Sequence, residues 1–225
     1  EHFYVVPDYF EPEHNALIYS LFGGLKILSG GSGLLAAVRG GEKAEHRADV
    51  CAASAGKSIL LAGSCSSMTL KQIEAYKAAH AAIKIDPLKV LDGSQSCAVL
   101  WDEVAGRDGV LLYSSESAQE IARIPETVRP QVSEKLEKLI SELAIKAESD
   151  GYTQVIVAGG ETSGAVAKAL DFGAYHIGES VAPGVPVMIP VKKPELRLVL
   201  KSGNFGKEDF FGAAVEMTTK GRRGA

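Results

Sequence analysis

The stretch VIVAGGETSGAVAKAL, residues 155–170, decides the fold class because it reads as a strand, a loop and a helix in direct succession. The branched aliphatic residues at its start are typical of a buried strand. The Gly-Gly pair interrupts that strand, and the Ala-rich run after it has the composition of a helix. A strand that leads directly into a helix is the building unit of a parallel sheet.

The same order of elements recurs along the chain. In four further places an aliphatic run is followed by a helical pattern. These pairs, each given as run then helical pattern, are 24–28 then 29–38; 58–63 then 70–83; 109–115 then 130–149; and 196–206 then 207–220. Strands that alternate with helices predict an α/β protein with a mostly parallel sheet, helices on both faces and ligand loops at the carboxyl ends of the strands.

Two further segments bear on the organisation of the chain. Residues 41–56 are polar and rich in Gly and Ala, which predicts a linker between residues 1–40, the end of one unit, and residues 57–225, a complete second unit. The Pro-rich stretch SVAPGVPVMIP, 180–190, does not fit a central strand. It is predicted to be a connection or a stiff wall beside a site.

Composition excludes several classes of function. The chain has 225 residues, with 24 basic and 28 acidic side chains, and no dense basic stripe that would indicate a nucleic-acid partner. No apolar run approaches the ~18 residues of a membrane span. The three cysteines lack the spacing of a zinc site or a disulfide framework, so a cytoplasmic location is expected.

Two short motifs partly match nucleotide-binding fingerprints. ASAGKS, 53–58, lacks the first Gly of a P-loop and precedes a strand, so it is rejected. GSGLLA, 31–36, matches the GxGxxA form of a dinucleotide fingerprint, but no ribose-binding acid is evident. This motif leaves an NAD-dependent oxidoreductase as an alternative.

Three loops share one construction, at 62–69, 158–164 and 201–209. Each follows an aliphatic strand, contains Gly with hydroxyl or amide side chains, and leads into a helix. Glycines such as Gly159 and Gly160 permit close backbone approach, and a helix N-terminus favours an anion. The three loops together predict a phosphate or nucleotide site.

Glu161 is the unexpected residue in this pattern, since a carboxylate repels phosphates unless a cation intervenes. A Mg²⁺ ion would reconcile the two. The alternative is a capping acid in the first helical turn, with Thr162 and Ser163 bonding to unpaired amides. Lys201 and Lys207 could neutralise phosphate charge or be ordinary solvated lysines.

At these loops the chain resembles the four-carbon acid sugar kinases, which include 3-oxo-tetronate, D-threonate and D-erythronate kinases. The matching segments are GGSGL (30–34), GSCSSMTLKQIEAY (63–76), AGGETSGAV (158–166), HIGESVAPGVP (176–186) and LKSGNFGKEDFF (200–211). They occur in family order and cover nearly the whole chain.

The resemblance implies ATP-dependent phosphorylation of a four-carbon sugar acid, with Mg²⁺, between an N-terminal substrate domain and a C-terminal nucleotide domain. Carried over by position, the ATP site would be lined by Ser64, Ser66, Gly160, Glu161, Thr162, Ser163, Gly203 and Gly206. Glu161 would lie near the metal or a ribose hydroxyl.

One departure from the family pattern limits this expectation. The family carries an Asp-Asp motif in the substrate domain, and this chain contains no Asp-Asp pair. We therefore expect the second half of such a kinase, which needs an N-terminal domain or a partner subunit and catalyses little by itself. A stand-alone nucleotide-binding module is the alternative, and self-association is left open.

Overall fold

The computed structural model describes residues 3–38, 53–115 and 117–220. The chain divides into two units, Glu1–Arg47 and Ala48–Ala225. Within the described ranges, no helix is long and apolar enough to cross a membrane.

The first unit contains two helices in its described part, α1 (Pro12–Phe22) and α2 (Ser32–Ala37). The run 24–28, predicted to be a strand, forms a turn and a bend followed by residues without regular secondary structure after α1. The prediction was wrong because Gly23 and Gly24 end α1 and none of the strands in the described residues pairs with the short run. GSGLLA therefore opens a helix without a preceding strand, and the dinucleotide fingerprint loses the context it requires.

The second unit is a seven-stranded sheet with helices on both faces, as predicted. Its strands are β1 (Lys57–Ala62), β2 (Ala82–Lys84), β3 (Val110–Tyr113), β4 (Tyr152–Ala158), β5 (Tyr175–Ala182), β6 (Val185–Pro190) and β7 (Arg197–Lys201). Its helices are α3 (Ser67–Lys77), α4 (Pro87–Asp92), α5 (Cys97–Val104), α6 (Ala118–Ala122), α7 (Arg129–Ser149), α8 (Gly160–Leu170) and α9 (Phe210–Lys220), with a 3₁₀ turn at Glu126–Val128.

The strand order is β2-β3-β1-β4-β7-β6-β5. The first five strands of this order, β2, β3, β1, β4 and β7, pair in parallel with their neighbours. Strand β6 pairs antiparallel with both β7 and β5. Buried on both faces, the parallel strands are continuous aliphatic runs, as that environment requires.

The Pro-rich stretch 180–190 forms the end of β5, a tight turn and β6, so the prediction of a connection was wrong. β6 lies between two strands, but its pairs with β7 are Val187 with Val199 and Met188 with Leu198. Pro186 therefore falls outside the pairing with β7. The missing N–H group of Pro186 therefore costs no hydrogen bond to β7, and the argument against a strand does not apply here.

Alternate residues of each strand point to opposite faces and create two cores. In β1, Ile59 and Leu61 contribute to the core beneath α5, α7 and α8. Leu60 contributes to the opposite core, together with Ile73 of α3 and Phe211 of α9. Consequently, the helices that follow β1 and β4 lie on opposite faces of the sheet.

A buried polar network holds the start of the second unit at the amino ends of the strands. Gln154 Nε2 donates to the carbonyl oxygens of Ser54 and Gly56, at 3.0 and 3.3 Å. The hydroxyls of Ser58 and Thr218 lie 3.1 and 3.0 Å from its Oε1. Residues 53–56, the end of the predicted linker, are thus fixed against the sheet, while residues 41–52 lie outside the described residues.

Candidate functional site

The three similar loops begin side by side because their strands are neighbours in register. Ala62 of β1 pairs with Ala158 of β4, and Ala158 pairs with Lys201 of β7. The ladder continues by one hydrogen bond at each junction, from Gly63 N to Ala158 O at 2.9 Å and from Gly159 N to Lys201 O at 2.8 Å. The loops therefore start at one level on the carboxyl edge of the sheet.

This edge is also where the strand order changes direction. The chain passes from β1 through α3 to β2 on one side, whereas β4 leads through α8 to the strands on the other side. In open α/β sheets the crevice at such a switch point is the usual position of a ligand.

The loops contact one another through glycines. A Cβ atom at Gly203 would lie 2.9 Å from Ser64 Oγ and 3.1 Å from Ser66 Oγ, and one at Gly159 would lie 2.9 Å from Thr162 Oγ1. Gly159 also has a φ of 128°, a backbone conformation that residues with a side chain rarely adopt. The sequence predicts that these glycines let a phosphate approach, and the structure adds that the loops themselves need them to pack.

Gly206 occupies a different place in its loop. Its φ is 80°, and a Cβ atom there would collide with the ring of Phe210 at 2.6 Å. The residue therefore shapes the turn into α9 and packs on that ring.

Helix α8 opens at the centre of the site. Its N-cap is Gly159, which provides no side-chain cap, whereas the N-cap of α3, Ser66, accepts a hydrogen bond from the amide of Thr69. The first amides of a helix have no partner within the helix, and its dipole favours an anion. The start of α8 is therefore suited to a phosphate group.

The first turn of α8 divides its residues between the interior and the solvent. Thr162 and Ser163 are buried, and the hydroxyl of Ser163 donates to the carbonyl oxygen of Lys201 at 3.4 Å. Gly160 and Glu161 are exposed. The two hydroxyls thus pack between the loops, and Gly160 and Glu161 are the members of this turn open to a ligand.

A fourth loop, after β3, was missed from the sequence. Ser114 N donates to Ala62 O at 2.9 Å, which places the segment next to the loop at 63–66. Ser115 is buried, and its Oγ has no hydrogen-bond partner among the described residues. A buried hydroxyl without a partner is rare and fits a site that a ligand completes. The signal was present in GVLLYSS, an aliphatic strand followed by two hydroxyls.

A second network joins α3 to the loop after β7. Lys201 Nζ donates to Thr69 Oγ1 at 2.9 Å and to Gly203 O at 2.7 Å. Gln72 Nε2 donates to the carbonyl oxygens of Phe205 and Lys207 at 3.1 and 2.8 Å. Lys201 is fully buried, so it is not the ordinary solvated lysine that the sequence left as one alternative. Burial lowers its pKa to about 8.

Glu161 faces a surface groove between α7 and α8, lined also by Glu134, Glu137, Lys138 and Lys168. Within the described residues, no group of three or more acidic, His or Cys side chains is arranged to hold a metal ion. A single exposed carboxylate still fits Mg²⁺, which is commonly bound by one or two carboxylates together with water and substrate phosphates. Glu161 as a metal ligand stays a prediction.

The family that this chain matches agrees with the fold and with the nucleotide site predicted at its loops. Residues 59–211 match the family described as the nucleotide-binding C-terminal domain. The chain belongs to this family, as the C-terminal nucleotide-binding half found in four-carbon acid sugar kinases.

Curated relatives carry the name 3-oxo-tetronate kinase. The protein of Brucella melitensis is 35% identical over 96% of this chain and 52% of the relative, and that of Pectobacterium atrosepticum is 38% identical over 94% and 53%. The chain therefore spans about half the length of the curated relatives that it matches.

Solved structures show the same fold. One from Salmonella typhimurium LT2 is 31% identical, with a TM-score of 0.79 over 94% of this chain and 52% of that chain. One from Haemophilus influenzae, described as a DUF1537 protein, is 33% identical, with a TM-score of 0.75 over 93% and 52%.

Proposed function

We propose that this chain is the nucleotide-binding part of an ATP-dependent kinase that phosphorylates a hydroxyl group of a four-carbon sugar acid, of the 3-oxo-tetronate, threonate or erythronate type. The relatives named 3-oxo-tetronate kinase support this substrate class. The observation that carries the proposal is the convergence of three loops and the uncapped start of α8 on one edge of the sheet.

In this proposal the phosphates of ATP lie against the exposed start of α8, where backbone amides and the helix dipole bind anions. The site is built from Ser64, Ser66, Gly159, Gly160, Glu161, Thr162, Ser163, Gly203 and Gly206. Within the first turn of α8, Gly160 and Glu161 are open to the nucleotide, and the buried Thr162 and Ser163 shape the loops that hold it. Glu161 binds Mg²⁺, directly or through water. ATP supplies the phosphoryl group, and the protein holds it in position for transfer, which is the main contribution of such enzymes.

We further propose that the sugar-acid pocket lies outside this chain, in an N-terminal domain or a partner subunit, with residues 1–40 as the end of that domain. Large apolar side chains in the described part of this segment are strongly exposed, including Tyr4, Phe10 and Ile27 at 92, 85 and 82%. Such exposure is unusual in a complete domain and fits a segment that packs against further protein. The cytoplasmic location and any self-association stay predictions.

The experiment uses Cys65, an exposed thiol between the two serines of the first loop. We would measure its rate of alkylation by iodoacetamide with and without Mg-ATP, resolved by peptide mass spectrometry. Cys97, a half-buried thiol of α5, is the internal control. Nucleotide bound at the proposed site slows modification of Cys65 and leaves Cys97 unchanged.

Equal rates of Cys65 modification with and without saturating ATP would exclude the site.

Turnover separates the kinase from a stand-alone binding module. With the N-terminal half of a relative supplied in trans, a kinase consumes ATP when D-threonate, D-erythronate or 3-oxo-tetronate is added. A module without catalysis binds ATP but shows no acid-dependent turnover.

A further inference from the structure

Lys201 occupies an unusual position for a charged residue. It is the last residue of β7, its side chain is 0% exposed, and its Nζ lies 5.7 Å from the centre of the Phe210 ring. Its close contacts are Thr69 Oγ1, which lies on α3, and Gly203 O, which lies in the following loop. The ammonium group thus sits at the junction between two of the converging loops.

The partners of this ammonium group are neutral oxygen atoms. No carboxylate among the described residues forms an ion pair with Nζ, and the cause of its lowered pKa is burial. A buried cation without a counter-charge is unfavourable, and Coulomb interactions are strong where water is excluded. An anion bound at the adjacent loops would compensate the charge.

Thr69 extends the contact to the first loop. Its hydroxyl accepts from Lys201 and donates to Gly203 O at 2.9 Å, and Ser66 Oγ lies 3.0 Å away. Loss of the charge at position 201 would therefore loosen the contact between the first and third loops.

We propose that Lys201 is a positioning residue for the nucleotide, whose buried positive charge holds the loop 202–206 against α3 and is compensated by the phosphates on binding. The inference rests on the proposed nucleotide-binding function. Because binding linkage is reciprocal, the proton on Lys201 strengthens nucleotide binding and the nucleotide strengthens retention of that proton.

Other titratable groups on the surrounding elements must be separated from this effect. They are Cys65 in the first loop, Lys71 and Tyr76 on α3, Glu161 on α8, and Lys207, Glu208 and Asp209 before α9. A change of affinity with pH is assigned to Lys201 only if it persists when a titratable side chain of the first loop is removed. Burial raises the pKa of Tyr76 to about 12. Cys65 therefore needs a control.

The test measures ATP affinity by calorimetry from about pH 7.5 to about 9.5, above the titration of the terminal phosphate. The proteins are the full chain and its variants Lys201→Met, Cys65→Ser and Lys57→Met. Lys57 is an exposed lysine at the amino end of β1, so its removal changes the net charge equally but far from the loops. Measurement in two buffers of different ionisation enthalpy gives the protons taken up.

We expect the affinity of the unmodified chain to fall about tenfold over this range, with proton uptake near pH 8. Cys65→Ser and Lys57→Met keep this slope. Lys201→Met binds about tenfold more weakly at the lowest pH and shows little change with pH.

A slope that Lys201→Met shares with the unmodified chain overturns this role and leaves the proposed function intact. If Lys201→Met does not fold, proton uptake by the unmodified chain decides, and its absence overturns the inference. Failure of the unmodified chain to bind nucleotide at any pH instead overturns the proposed function, and the role of Lys201 with it.

Discussion

The hydroxyl of Thr69 donates a hydrogen bond to the carbonyl oxygen of Gly203 at 2.9 Å, although the two residues are 134 positions apart in the sequence. This bond joins the loop that follows β1 to the loop that follows β7. Changes on either side should therefore alter the whole site.

Gly203→Ala is expected to weaken ATP binding about tenfold and to lower the free energy of unfolding by about 1–3 kcal/mol, as overpacking does. The added Cβ atom would lie 2.9 Å from Ser64 Oγ and 3.0 Å from Ser66 Cβ, which forces the two loops apart. Calorimetry and urea unfolding measure the two effects. The matched control is Gly164→Ala in α8, where a Cβ atom meets no neighbour within 4 Å. Unchanged affinity in folded Gly203→Ala would contradict the packing argument.

Glu161→Gln is expected to weaken binding of Mg-ATP about tenfold. Binding of metal-free ATP should stay the same or tighten, because a negative charge near the phosphates is removed. Titrations with Mg²⁺ and with EDTA distinguish the two. Glu134→Gln removes the same charge from α7 across the groove and should leave Mg-ATP binding unchanged. Equal losses for both forms of ATP would exclude the metal role.

The stability of the unliganded chain should depend on pH through Lys201 and Tyr76. The pKa of Lys201 is lowered to about 8, so the unfolded chain binds the extra proton between about pH 8 and about 10.5, and stability rises with pH across that window. The pKa of Tyr76 is raised to about 12, so its contribution is lost as pH rises above about 10.

Urea midpoints measured across this range should therefore pass through a maximum between about pH 10 and 10.5, where the two opposing slopes cancel. Lys201→Met should abolish the rise on the neutral side, because methionine carries no charge to desolvate. A rise that persists in this variant would assign the effect to another group.

Gln154→Leu is expected to lower the free energy of unfolding by about 2–4 kcal/mol, because the carbonyl oxygens of Ser54 and Gly56 lose their buried donor. ATP affinity of the folded variant should not change, since Gln154 lies near the amino ends of the strands. Gln119→Leu, at an exposed position of α6, serves as the control and should change stability by no more than about 0.5 kcal/mol. A loss of affinity in folded Gln154→Leu would show coupling across the sheet.

The alternation of strands and helices was predictable because aliphatic strands, glycine loops and Ala-rich helices leave strong local patterns. The convergence of the loops at 62–69, 158–164 and 201–209 followed from the rule that parallel strands present their carboxyl ends on one edge. The run 24–28 was wrongly predicted as a strand because hydrophobicity alone does not provide a pairing partner. Strand β6 was missed because the prolines of 180–190 argue against a central strand, whereas Pro186 lies outside the pairing of β6 with β7.

Contacts between residues distant in sequence could not be predicted in the same way. Nothing local indicates that Lys201 is buried, since its burial depends on Thr69 of α3 and Phe210 of α9 closing around it. Thr162 likewise points inward against Gly63 of the neighbouring loop, where a Cβ atom would collide with Thr162 Oγ1. The sequence predicts which loops meet, whereas their division into inward and outward side chains depends on tertiary packing.

The row formed by Ala62, Ala158 and Lys201 limits how this protein can change in evolution. Inserting or deleting one residue within β1, β4 or β7 would displace one loop relative to the other two and exchange the faces of its strand. Length changes should therefore be tolerated beyond the site, for example at the turn between β5 and β6. Among homologues, these three strands are expected to keep a constant length.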